Sequence, residues 1–303
     1  MTRDLVEVRA WARELADDPV LHGQPRAAAA YGTAAYAAYT AGDQDKAAEY
    51  AHAGLAEGGE GVLHCRHALA VSALARGAWE EAVAQSLAPE AVGHSRHGLL
   101  GVAALASAYA GDLERARALN ARCSSEATSP SRVAWATYYQ AEIENLAGHQ
   151  EAAEQRYLEA IALGRGAGDT FVTGVAIIGL AAARAGAGRE QEALAGYREV
   201  IELFARTGYW THQWIALRNL AVLLRGLGEA ETAEIIEAAA DAAPDAPAVP
   251  PTSRRPELPD RSAGTGLADQ PGPGRAEVLE IARRAIDRHL KAPPGGVEPV
   301  PVP

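Results

Sequence analysis

The chain is 303 residues long, 48% hydrophobic, and carries a net charge of −11. That negative field repels phosphate backbones and argues against nucleic acid as a partner. No uncharged apolar run is long enough to span a bilayer, and two cysteines, Cys65 and Cys123, make no disulfide framework. With only two Phe and abundant Ala, the composition points to closely packed helices, since alanine favours helix and buries little area.

In chain order, apolar periodicity predicts helices over residues 3–16, 26–41, 44–57, 62–76, 79–88, 95–110, 112–123, 131–147, 149–166, 169–187, 189–207, 210–227 and 229–242. The opening run MTRDLVEVRAWARELADD is charged throughout and has no signal-type apolar stretch, so a cytoplasmic location is expected. Prolines then mark a boundary: four of 17 precede residue 243, eight fall within 244–273 and five within 293–303. That density excludes helix. It divides the chain into a helical body (1–242), a Pro-rich linker (243–273) expected to be irregular, an amphipathic helix (274–291) and a disordered tail (292–303). In the last helix Leu279, Ala282, Ile286 and Leu290 share one face, which a capping role on the helical body would bury.

Six glycines recur in similar contexts: Gly42 (AGDQDKA), Gly77 (RGAWEEA), Gly111 (AGDLERA), Gly148 (AGHQEAA), Gly188 (AGREQEA) and Gly228 (LGEAETA). Their spacings are 35, 34, 37, 40 and 40 residues, periods that mean stacked helical hairpins. Five residues after each stands alanine (Ala47, Ala82, Ala116, Ala153, Ala193, Ala233). Seven residues before each stands another (Ala35, Ala70, Ala104, Ala141, Ala181, Ala221). Glycine closes the first helix of each hairpin in a left-handed cap, and the alanines mark where paired helices approach most closely. This pattern resembles tetratricopeptide repeats, without most of their Trp and Pro. The resemblance implies an all-α, right-handed solenoid of about six hairpins with a leading helix and a C-terminal cap. The longer late periods imply longer helices.

A second resemblance rests on longer stretches. WTHQWIALRNLAVLLRGLGEAETAEIIEAAADAAPDAPAV at 210–249, the closing EVLEIARRAIDRHL and the early AAYAAYTAGDQDKAAEYAHAGLA resemble the C-terminal helical sensor region of actinobacterial signal-transduction ATPases and transcriptional regulators, of the antibiotic-regulatory and LuxR-type ATP-binding kinds. The resemblance implies a regulatory, ligand- or protein-sensing role. No GxxxxGK[ST] phosphate cradle accompanies it, so ATPase activity does not carry over, and no cofactor is expected.

In tetratricopeptide superhelices the first helix of each hairpin lines the concave face. By that resemblance the groove positions lie 13, 10, 6 and 3 residues before each turn glycine. They supply Tyr36 and Tyr39, His64 and His67, Trp135, Tyr138, Glu142 and Asn145, then Arg218 and Arg225. Such a wall suits a small molecule with an apolar body and a few polar groups, or a peptide. His64/His67 and His94/His97 are i,i+3 pairs, but metal needs three or four converging ligands, and no HExxH or CxxC is present. Catalytic-triad and nucleophile-elbow signatures are missing too. The expectation is a non-enzymatic sensor or scaffold binding a peptide or small effector. The alternative is a sensor-derived enzyme using groove Tyr, His and Glu for acid–base chemistry. Oligomeric state is left open.

Overall fold

The structure, a computed structural model, describes residues 6–88, 96–247 and 273–291. Most of the Pro-rich segment, the tail 292–303 and His94 lie outside the described residues. Among the described residues every regular element is helical: α1 (Val6–Ala16), a 3-10 turn (Pro19–Leu21), α2 (Ala27–Ala41), α3 (Gln44–Glu57), α4 (Val62–Ala75), α5 (Trp79–Ser86), α6 (Arg96–Tyr109), α7 (Leu113–Ser125), α8 (Pro130–Leu146), α9 (Gln150–Ala167), α10 (Thr170–Gly186), α11 (Glu190–Thr207), α12 (Trp210–Gly226), α13 (Ala230–Ala242) and α14 (Arg275–Lys291). None of these helices is long and apolar enough to cross a membrane.

The turn glycines build the hairpins. All six have positive φ, from 72° at Gly188 to 93° at Gly42, a conformation that costs glycine no steric penalty. In each, the amide following the glycine donates back to a carbonyl five residues earlier at 2.9 Å, as from Asp43 to Ala38 and from Glu229 to Leu224. This is the closing bond of a Schellman cap, and it satisfies carbonyls the helix end would leave open. Asp43 and Asp112 then cap the next helix, their carboxylates accepting from the Lys46 and Arg115 amides. Every member of both alanine columns is buried, at 0–1% exposure, where a larger side chain would push paired helices apart. The longer late repeats come from both helices of the α8/α9 and α10/α11 pairs and from α12, whose partner α13 has 13 residues. α8, α10 and α12 have 17 residues against 14 or 15 for α2, α4 and α6, while α9 and α11 reach 18.

Consecutive helices pack in pairs. In addition α2, α4, α6, α8, α10 and α12 each contact the next of their set, forming an inner layer behind which α3, α5, α7, α9, α11 and α13 stand. The inner layer also closes on itself, because α12 contacts α2. There the Thr211 hydroxyl, fully buried, donates to the Tyr39 carbonyl, and His212 sits edge-on to the Tyr39 ring. α14 packs on α11, α12 and α13 and buries Val278, Leu279, Ala282, Ala285 and Ile286. Asp245, just after α13, ties these parts together. Its carboxylate accepts from the Trp214 indole at 2.9 Å and from Arg275 of α14, and its Cβ lies against the Gly42 turn.

Candidate functional site

Each inner helix sends a stripe of side chains, spaced three or four residues apart, toward the space the ring encloses. That space is a cavity with two adjoining chambers of about 310 and 180 Å³. They share the walls Tyr39, Leu74, Leu105, Tyr138, Val175 and His212.

The smaller chamber is aromatic. Trp135 lies 5.6–5.8 Å, ring to ring, from Tyr138, Tyr139 and Phe171. Tyr36 stacks on His67 at 5.5 Å and meets Phe171 edge-on. His212 stands perpendicular to Phe171 at 4.8 Å. Trp135 is oriented by its indole, which donates to the Asp169 carboxylate at 3.1 Å. The same carboxylate group caps α10 through the Phe171 and Val172 amides. Burial lowers the His67 and His212 imidazoles to about 4, and His97 also falls below its usual value for the same reason. All three imidazoles are therefore neutral at pH 7.

The larger chamber adds polar groups. Glu142 is 8% exposed and accepts hydrogen bonds from the Tyr157 hydroxyl at 2.6 Å and the Tyr109 hydroxyl at 3.0 Å. Burial raises its carboxyl above the usual range, and the two phenol bonds act against that rise. Tyr157 reaches this wall from the outer helix α9 across Gly179, where an added Cβ would lie 2.4 Å from the Tyr157 ring and 2.8 Å from Glu142 Oε1. Farther round stand Asn145, Asn219, Arg218, Glu237 and Asp241. Arg218 bonds the Ala240 carbonyl at 3.0 Å and the Asp241 carboxylate at 3.1 Å. Arg225 forms a two-pronged pair with Glu237 at 2.7 and 2.8 Å.

Eight of the ten residues expected to share the groove line this cavity: Tyr36, Tyr39, His67, Trp135, Tyr138, Glu142, Asn145 and Arg218. His64 is exposed on α4, against Gly32 of α2, and Arg225 stands behind the wall on Glu237. Repeat register alone passed over several lining groups. Phe171, Tyr139 and His212 lie off the chosen positions, while Trp79 and Tyr157 come from outer helices. Gly179, one of three glycines in the apolar run TFVTGVAIIGLAAARAG, is the sequence signal nearest to Tyr157, since glycine inside a helix often marks a close approach.

Other reactive groups are quiet. Cys123 Sγ lies 3.3 Å from His97 Nε2, yet burial pushes its thiol up to about 12 and that of Cys65 to about 11. Neither is a thiolate nucleophile at neutral pH. Among the described residues no three His, Cys, Asp or Glu side chains converge as metal ligands would. No protein-family model matches the chain, and no curated protein matches it.

Proposed function

We propose that this chain is a small-molecule-binding protein of the tetratricopeptide-like solenoid type, acting as a non-enzymatic sensor whose ligand sits inside the ring of inner helices. One observation carries this reading: α2 and α12 meet, so the inner helices close into a ring around an aromatic-floored cavity. An extended peptide needs a continuous groove or an open edge. A cavity of a few hundred Å³ with an apolar body and a few placed polar groups is the usual form of a small-ligand site. The regulatory part of the proposal rests on the resemblance of 210–249 and the closing helix to actinobacterial sensor regions. An acid–base enzyme is the second reading, favoured by one feature, the buried carboxyl of Glu142 held between two phenols.

Native mass spectrometry of protein purified from its own host tests the first reading. A retained small molecule is expected, and Val175→Phe, which fills the wall common to both chambers, is expected to abolish it with helicity intact. A retained polypeptide, or a molecule that stays bound in Val175→Phe, sinks the cavity as the site. Chemical conversion of the retained molecule by wild type but not by Glu142→Gln would favour the enzyme.

A further inference from the structure

The charges around the larger chamber do not cancel. Arg218 is engaged by Asp241 and the Ala240 carbonyl, and Arg225 by both oxygens of Glu237. These pairs account for two carboxylates and both nearby guanidinium groups. Glu142 remains. It is buried, its donors are neutral phenols, and it makes no ion pair with any described residue. Hydrogen bonds from phenols steady a carboxylate but bring no opposite charge, so burial raises the Glu142 carboxyl toward its protonated form, and a cation beside it would favour the charged form instead.

Next to that carboxylate lies the aromatic floor. Tyr138, one turn from Glu142 on α8, is part of both chambers, and Trp135, Tyr139 and Phe171 continue its surface. Ring faces attract cations through their quadrupole, most strongly where water is excluded. The neighbouring imidazoles, being neutral, add no positive field to offset this. A carboxylate-bearing ligand would instead set a second negative charge beside Glu142.

We infer that the ligand carries a protonated or quaternary nitrogen on an apolar body, held between Glu142 and the rings of Tyr138 and Trp135. This rests on the cavity reading above and specifies the chemistry of its occupant. The test uses three benzyl probes: benzyltrimethylammonium, its uncharged carbon isostere neopentylbenzene, and the smaller anion phenylacetate. Binding is followed by thermal shift and by tryptophan fluorescence, to which Trp135 and Trp79 contribute from the cavity wall. Benzyltrimethylammonium is expected to bind at least roughly tenfold tighter than neopentylbenzene, the equilibrium equivalent of one desolvated cation–ring contact. Glu142→Gln is expected to remove that preference and leave neopentylbenzene binding as before. Should Glu142→Gln not fold, Tyr138→Ala keeps the carboxylate and must still weaken the ammonium more than the neutral probe. Neopentylbenzene or phenylacetate binding as tightly as the ammonium overturns the cation site and leaves the cavity reading standing. Binding of none of the three overturns both.

Discussion

Gly42 and Gly148 hold the same left-handed conformation, with φ of 93° and 80°, in different surroundings. A Cβ on Gly148 would meet nothing within 4 Å, whereas one on Gly42 would lie 2.3 Å from Asp245 Cβ and 2.9 Å from Asp245 Oδ2. Gly148→Ala therefore isolates backbone strain, about 1–2 kcal/mol. Gly42→Ala adds displacement of Asp245, which holds both Trp214 and Arg275. Chemical denaturation is expected to show the larger loss for Gly42→Ala, and equal losses would mean that the Asp245 clasp contributes little to stability. These residues also show what is legible in a single sequence. Turn glycines and alanine columns are imposed by local geometry, recur with the repeat, and can be read directly. Asp245 serves α2, α12 and α14 at once from an aperiodic stretch, so no pattern in the chain announces it.

At the scale of elements the faces of α8 and α12 were readable for the same reason: positions three and four apart share one side of a helix. What no single helix reveals is how neighbouring elements use those side chains. Arg225 faces α13 rather than the cavity because Glu237 stands opposite it, a matter of helix pairing. The docking of α14 is a similar case. Its apolar stripe is periodic, but its polar anchors are Arg283 on Glu202, Arg288 on Glu229, Arg198 on Asp287 and Arg275 on Asp245. The Glu229 carboxyl is lowered to about 2, first by the Arg288 hydrogen bonds at 2.7 and 2.9 Å. A carboxyl lowered on folding gives stability that is full above its unfolded value and is lost as pH falls through its folded one. The Glu229 contribution should thus fade between about pH 4.5 and pH 2. Because the bridge is partly exposed, it is worth no more than about 1 kcal/mol. Arg275 lies 4.5 Å over the Trp210 ring, so the seating of α14 is one contribution to the emission of the chain's five tryptophans. Acidification through that window is expected to shift this emission, and Glu229→Gln to weaken α14 docking at neutral pH and flatten its acid dependence. A Glu229→Gln protein with unchanged exchange protection over 275–291 would remove Glu229 from the anchoring set.

The whole molecule departs from a simple stack in one respect. In a linear array each hairpin touches only its neighbours, so stability is local and the ends fray first. Here α12 returns to α2, and the first and sixth inner helices share the buried bond from Thr211 to the Tyr39 carbonyl. Closure of this kind depends on curvature summed over six repeats, which small offsets in each hairpin control. That is why the sequence could place residues on the inner face without revealing that its first and last helices meet. Thr211→Val keeps shape and removes the donor. The Tyr39 carbonyl still accepts from the Gly42 amide, so the direct loss is about 1 kcal/mol, while the consequence is distributed. Hydrogen exchange followed by mass spectrometry is expected to show α2 and α12 losing protection together, though they are far apart in the chain, with α6 and α8 unchanged. If α12 loosens while α2 keeps its protection, the two ends are merely adjacent, and enclosure of the cavity must come from the individual repeats.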